Sequence, residues 1–223
     1  ISRGASTGTA TITLGNNNDT YTSTSTGVDT VTATAGNNTI TTGAGADAIT
    51  LGTGTDTVTA GAGDDTITVA TANFDADHTV TGGAGTDTVT ISDAGTHVDA
   101  DFTNFTTVET ISFGNNATTL TLGAQSAEAG IVTVTDGTGN TTLTIGATHT
   151  NNTTVALSTG TDSITATNMT ANLTVTAAVA SITAADTLTG GTGTDTLSIT
   201  HDGSTLTSGE LANLSGFENL NVA

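Results

Sequence analysis

The 223-residue chain has no cysteine, proline, tryptophan or lysine, a single arginine (Arg3), and only six aromatic residues, five Phe and one Tyr. Without thiols there is no disulfide framework and no zinc–thiolate site. One cation cannot neutralise a run of phosphates, which excludes nucleic acid as a partner and, for the same reason, an anionic membrane surface. No apolar run approaches the roughly 18 residues that would span a bilayer, so membrane insertion is not expected. Strong helix formers are scarce while 61 Thr and 28 Gly dominate, which argues against a helical bundle. Against Arg3 stand 21 acids, 17 of them Asp, for a net charge of −20. Such charge with few aromatics is a composition of disorder, but 34% of the residues are hydrophobic and Val, Ile and Leu recur with a fixed period. The lack of Cys and Lys suits an exported bacterial protein. The start at Ile1, without the basic and apolar regions of a signal peptide, reads as a piece of a longer chain.

The period is nine. Asp29, Asn38, Asp47, Asp56 and Asp65 follow one another at that interval, each with Gly two residues before it (Gly27, Gly36, Gly45, Gly54, Gly63) and an aliphatic two residues after it (Val31, Ile40, Ile49, Val58, Ile67). A second Gly joins at Gly43, Gly52 and Gly61, giving units such as "TGAGADAIT" and "LGTGTDTVT". Each unit supplies a Gly-rich turn, where φ > 0 is affordable, and a short strand whose aliphatic points inward between outward Thr. Two units make one coil, so residues 18 apart stack at about 4.8 Å. That arrangement puts Asp29, Asp47 and Asp65 in one ladder and Asn38 and Asp56 in the opposite one. Carboxylates about 5 Å apart repel by roughly 1–3 kcal/mol per pair. A hard cation between rungs removes the repulsion, and calcium suits a site of six to eight oxygens better than magnesium does. Taken singly, an Asp in a turn more often makes an Asx-turn. Four Asp and one Asn in phase, with paired Gly and a single Arg in the whole chain, favour a metal.

These units resemble the RTX family, whose nonapeptide G-G-x-G-x-D-x-U-x forms calcium-binding parallel β-rolls. The fullest matches are "GGAGTDTVT" at Gly82–Thr90 and "GGTGTDTLS" at Gly190–Ser198, with looser copies ending at Thr22 and Thr165. The resemblance implies an all-β, right-handed parallel β-roll or β-solenoid holding several Ca2+ ions. Its candidate ligands are Asp29, Asn38, Asp47, Asp56, Asp65, Asp87, Asp162, Asp186, Asp195 and Asp19, with the turn glycines Gly43, Gly45, Gly52, Gly54, Gly61, Gly63, Gly83, Gly85, Gly191 and Gly193. Asn38 is the weaker ligand, Asp19 stands one residue out of phase, and Asp64 is expected to face solvent.

The nonapeptide roll covers residues 1–70, and an irregular solenoid is expected over 71–223. There a longer repeat relates Gly82–Phe113 to Gly190–Val222, each opening on the Gly turn and closing at Val108–Ile111 or Phe217–Leu220. This alternation is similar to that of bacterial surface-layer proteins exported by the type I route. Between the two units, "IVTVT", "TTLTI", "TTVAL", "DSITAT", "NLTVT" and "SITA" read as strands about ten residues apart with no helix among them. About ten to twelve coils with an aliphatic core would make a rod of roughly 50–60 Å. Rod ends expose strand edges that need caps or invite association.

Catalytic patterns are missing. There is no G-x-S-x-G elbow and no thiol nucleophile. The pairs Asp75/Asp77 and Asp99/Asp101 read as solvated loop acids rather than glycosidase carboxylates, and His78, His97, His149 and His201 share no spacing and read as surface residues. The repeated T-x-T pairs suit exposed strand faces; similar ranks occur on ice-binding solenoids. The expectation is a non-enzymatic, secreted segment of a cell-surface layer that associates with copies of itself, with cell-surface polysaccharide as a further partner. An adhesin or biofilm-matrix module, or the RTX tail of an extracellular enzyme, is the alternative.

Overall fold

The computed structural model describes residues 1–223, the side chain at position 71 excepted. Every strand pairing is parallel. One sheet of eleven strands runs the length of the molecule: Ala10–Leu14, Asp29–Ala33, Ala48–Thr50, Thr66–Val69, Thr88–Ile91, Thr110–Phe113, Thr133–Thr135, Thr153–Ala156, Leu173–Ala178, Thr196–Thr200 and Asn219–Val222. A six-stranded sheet serves the first half (Ser2–Arg3, Thr20–Ser23, Thr39–Thr41, Thr57–Ala62, Thr79–Ala84, Phe105–Thr106) and another the second half (Gly95–His97, Thr118–Leu122, Thr141–Ile145, Ser163–Thr165, Thr187–Thr189, Leu214–Ser215). The result is a β-solenoid of about ten turns. Its long sheet passes residue 70 without a break, Thr66 pairing with Thr88.

Registers explain why this sequence winds as it does. Thr30 pairs with Ala48 and Ala48 with Thr66, 18 residues apart, as two nonapeptides per coil require. The coils then lengthen to 22 at Thr66–Thr88 and to 23 at Thr110–Thr133. Each coil contributes one aliphatic to a column under the long sheet: Val31, Ile49, Ile67, Val89, Ile111, Val134, Val155, Val175 and Leu197, all buried. Tyr21, Ile40, Val58, Val80 and Phe105 face it in the first half; Leu120, Leu143, Ile164 and Leu188 do so in the second. Burying each such side chain stabilises the fold by about 1.5–3 kcal/mol. Between them the Thr residues alternate outward, as period two demands.

The two shorter sheets change over where the sequence departs from nine. Phe74, Phe102, Phe105 and His97 meet there, three ring pairs edge-on and Phe74–Phe105 tilted, with ring centroids 5.1–5.9 Å apart. Three of the five Phe thus fill one junction, while aliphatic columns fill the rest.

Two expectations about the second half need correction. "SITA" is not a strand: Val179–Ser181 forms a 3-10 turn that carries Val179 and Ile182 into the core at a corner. The coils there also hold a short helix, Ala124–Ala129, closed by Gly130 at φ 108°. Asp99 from the preceding coil accepts the free N–H groups of Gly123, Gln125 and Ser126 at 2.7–3.0 Å. Asp99 is therefore a half-buried helix cap rather than a solvated loop acid.

Candidate metal centre

In each nonapeptide the Asp stands two residues before the inward aliphatic, so strand alternation turns it inward as well. Asp29, Asp47, Asp56, Asp65 and Asp87 are all buried. The next coil's carboxylate caps each rung: the backbone N–H of Asp29 donates to Asp47 Oδ1 (2.6 Å), Asp47 to Asp65 (2.7 Å), Asp65 to Asp87 (2.9 Å), and Asp87 to Glu109 Oε2 (2.8 Å). On the opposite side Asp19 N–H donates to Asn38 Oδ1 (3.1 Å), Asn38 to Asp56 (2.9 Å), and Asp56 to His78 Nδ1 (3.1 Å). The one-residue offset of Asp19 is absorbed by a 19-residue coil, Thr20 pairing with Thr39.

Two further ladders occur in the second half. Thr141 N–H donates to Asp162 Oδ1 and Asp162 N–H to Asp186 Oδ1, both at 2.8 Å. Across the coil, Leu173 N–H donates to Asp195 and Asp195 N–H to Glu218 Oε2, both at 2.7 Å. Asp186 and Asp195, nine apart, thus sit in opposite ladders. The sequence reading missed Glu109, Glu218 and His78, although each precedes its aliphatic by two residues (Ile111, Leu220, Val80) as the Asp does. Their signal was the D-x-U frame with another polar residue in first place, hidden by coils longer than 18. His78, His97 and His149 are buried, not surface residues. His78 replaces a carboxylate in its ladder, and His149 contacts Ser126 Oγ and Thr153 Oγ1. Only His201 is exposed.

The turn glycines divide into two kinds. Gly54, Gly61, Gly63, Gly83 and Gly85 have φ between 114° and 145°. Gly43, Gly45, Gly52, Gly191 and Gly193 do not; they are glycine because a carbonyl of the preceding coil lies where a Cβ would stand, Ser25, Gly27, Thr34, Met169 and Ala171 respectively. Left-handed backbone, expected for the whole set, therefore accounts for half of it. Close stacking of carbonyls accounts for the rest.

Electrostatics set the ladders apart from ordinary capping. Arg3 pairs with Asp29, the first rung. Asp47, Asp56, Asp65, Asp87 and Asp162 each keep a buried Oδ2 with no hydrogen-bond partner. Burial pushes the Asp65 carboxyl up to about 7 against the opposing Asp47 N–H, with the charges of Asp87, Asp47 and Asp64 adding to the rise. Burial likewise raises Asp162 to about 6 and raises Asp47 and Asp87. Asp64 itself is exposed, its Oδ1 accepting Thr86 N–H at 2.8 Å. By contrast, Asp186 Oδ2 accepts Thr183 N–H (2.6 Å), Asp195 Oδ2 accepts Gly191 N–H (2.5 Å) and Asp19 Oδ2 accepts Gly15 N–H (3.0 Å).

These residues fit a hard cation. The partnerless atoms are carboxylate oxygens beside stacked carbonyls, the donor type calcium takes. Among the described residues no three His, Cys, Asp or Glu side chains cluster to hold a metal ion by themselves, so turn carbonyls would have to supply much of the shell. Arg3 shows that positive charge belongs on this line, and no other cationic side chain exists to supply it higher up.

Fold and ladders together define a parallel β-solenoid with acidic turns. The family model of the RTX calcium-binding nonapeptide repeat matches the chain at residues 23–58, 50–69 and 183–198. The matched segments are RTX-type nonapeptide repeats, which bind calcium, and with the parallel coils they support an RTX-type β-roll. No curated protein and no solved structure matches it. No helix is long and apolar enough to cross a membrane among the described residues.

Proposed function

We propose that this chain is a structural, non-catalytic segment of a bacterial surface-layer protein, secreted and then folded by calcium on the outside of the cell. The observation that carries the calcium dependence is the set of buried carboxylates, Asp47, Asp65, Asp87 and Asp162, each with a partnerless oxygen in a chain whose one Arg pairs with Asp29. In a low-calcium cytosol, ladder repulsion keeps the chain loose. Outside, each filled site stabilises the folded state by mass action, about 2.7 kcal/mol at a hundredfold excess over Kd. RTX repeats are typical of secreted proteins. The surface-layer assignment draws on the recurrence of Gly82–Phe113 as Gly190–Val222. Association with further copies, and anchoring on cell-surface polysaccharide, belong to the same reading.

The test is a calcium titration of EDTA-treated protein followed by circular dichroism, light scattering and electron microscopy, with magnesium as control. A calcium-specific coil-to-β transition followed by ordered sheets supports the reading. A full β signal in EDTA would refute calcium-driven folding, and monodisperse rods at millimolar calcium would refute the lattice.

One observation favours a second reading, an adhesin that binds ice or a glycan. Thr11, Thr30, Thr66, Thr88, Thr110, Thr133, Thr154, Thr174 and Thr196 form an outward rank along the long sheet, interrupted by Ala48. Inhibition of ice recrystallisation, or glycan-array binding by calcium-loaded rods, would favour it over the lattice.

A further inference from the structure

We propose that Arg3 is a tethered cation that takes the metal's place at the first rung, so that the opening coil closes on Asp29 without calcium and the ion sites begin at Asp47. The inference rests on calcium filling the ladders and concerns which rungs it fills.

The first rung is built unlike those after it. Asp47, Asp65 and Asp87 each accept the N–H of the ladder residue one coil earlier. The donor need not be an acid, since Thr141 and Leu173 stand at that position and donate to Asp162 and Asp195 in the same way. Ala10 is the residue that pairs with Asp29, yet its N–H donates to the Val28 carbonyl at 2.9 Å. The Asp29 carboxylate is fully buried and accepts no N–H from the main chain. Its partner is Arg3 Nη1, carried by the strand Ser2–Arg3.

The second contact of the guanidinium shows what it replaces. Arg3 Nη2 donates to the Gly8 carbonyl oxygen. Gly8 stands two residues before Ala10, as Gly27 stands two before Asp29. The Gly8 carbonyl lies where a Cβ of Gly27 would stand, just as the Gly27 and Gly45 carbonyls do at Gly45 and Gly63. One planar group therefore spans a turn carbonyl of one coil and the ladder carboxylate of the next. Those are the two kinds of oxygen that a calcium ion between coils would take. The Arg3 side chain is only 15% exposed, and two cations on the same buried oxygens repel, so guanidinium and calcium exclude one another there. Arg3 is the only Lys or Arg in the chain, so this substitution serves one rung. Asp47, whose Oδ2 is buried and partnerless, is the first rung left without a cation. Arg3 thus decides where along the ladder metal binding begins.

The experiment counts bound ions on the full chain by equilibrium dialysis with radioactive calcium, following the fold by circular dichroism. Arg3→Gln keeps an amide donor for the Gly8 carbonyl but removes the charge, and should bind one ion more than the parent. Adding Asp29→Asn to that variant should take the extra ion away again. An unchanged count in a folded R3Q overturns the proposal and leaves the other rungs standing, whereas a parent chain that binds no calcium overturns the calcium reading beneath it. Should R3Q fail to fold, terbium-soaked crystals of the parent decide. Anomalous peaks are expected at Asp47 and Asp65 with none between Gly8 and Asp29, and a peak at Asp29 overturns the proposal.

Discussion

Replacing Asp65 by Asn should stabilise the metal-free protein and weaken the calcium-loaded one. Asp65 Oδ1 accepts the Asp47 N–H, a bond an amide oxygen can keep; Oδ2 is buried and partnerless. Asn38 already shows the outcome in the opposite ladder, accepting the Asp19 N–H while its Nδ2 donates to Asp56 Oδ1 at 2.9 Å. The rise of the Asp65 carboxyl from 3.8 to about 7 corresponds to about 4 kcal/mol at neutral pH. Discounted for solvent screening, this leaves roughly 1–2 kcal/mol. For a chain of this length that is about 2–8 °C in Tm. The folded protein holds this proton more tightly than the unfolded chain does, so the contribution of Asp65 to metal-free stability is fully present below about pH 4 and is lost as pH rises towards 7. Asp65→Asn should flatten that fall. With calcium the order reverses: losing one charged ligand, worth about 1.5–3 kcal/mol, moves the titration midpoint up by tenfold or more. Thermal melts in EDTA between pH 4 and 8, repeated in millimolar calcium, test both halves. A D65N protein that melts below the parent in EDTA would refute the claim that the ladder charge is uncompensated.

The cap on the short helix should respond to pH in the opposite direction. Asp99 feels burial, but the N–H groups of Ser126, Gln125 and Gly123 outweigh it and hold its carboxyl below the ordinary range. Its contribution is therefore present above about pH 4 and lost as pH falls. Asp99→Asn should cost about 1–2 kcal/mol at pH 7 and much less at pH 3 in urea unfolding; equal losses at both would contradict the assignment. Gly83→Ala should cost about 2–4 kcal/mol, because φ is 121° and the Gly61 carbonyl occupies the Cβ position; a loss under about 0.5 kcal/mol would disprove the close stacking. Ile111→Ala, fully buried in the central column, should cost about 2–5 kcal/mol by denaturant titration, and a neutral result would mean that the column is not continuous.

Much of this molecule is legible in the chain alone, because local rules repeat. The nine-residue phase of Gly, Asp and aliphatic sets turn, strand and inward face at once, and two units per coil place Asp29, Asp47 and Asp65 in line before any coordinates are seen. The net charge with a single Arg makes a cation necessary wherever such residues stack. What the sequence could not decide is how coils of unequal length meet. Once the period widens from 18 to 22 and 23, register is fixed by packing across the core, and only then do His78, Glu109 and Glu218 fall into ladders that spacing had hidden. The same packing turns three histidines inward and gathers Phe74, Phe102 and Phe105 where one short sheet gives way to the other. Whether a carboxylate is spare also depends on neighbours distant in sequence. Asp195 matches the motif as well as Asp65 does and Asp186 keeps its D-x-U frame, yet turn N–H groups satisfy their second oxygens, whereas Asp162 keeps one unpaired.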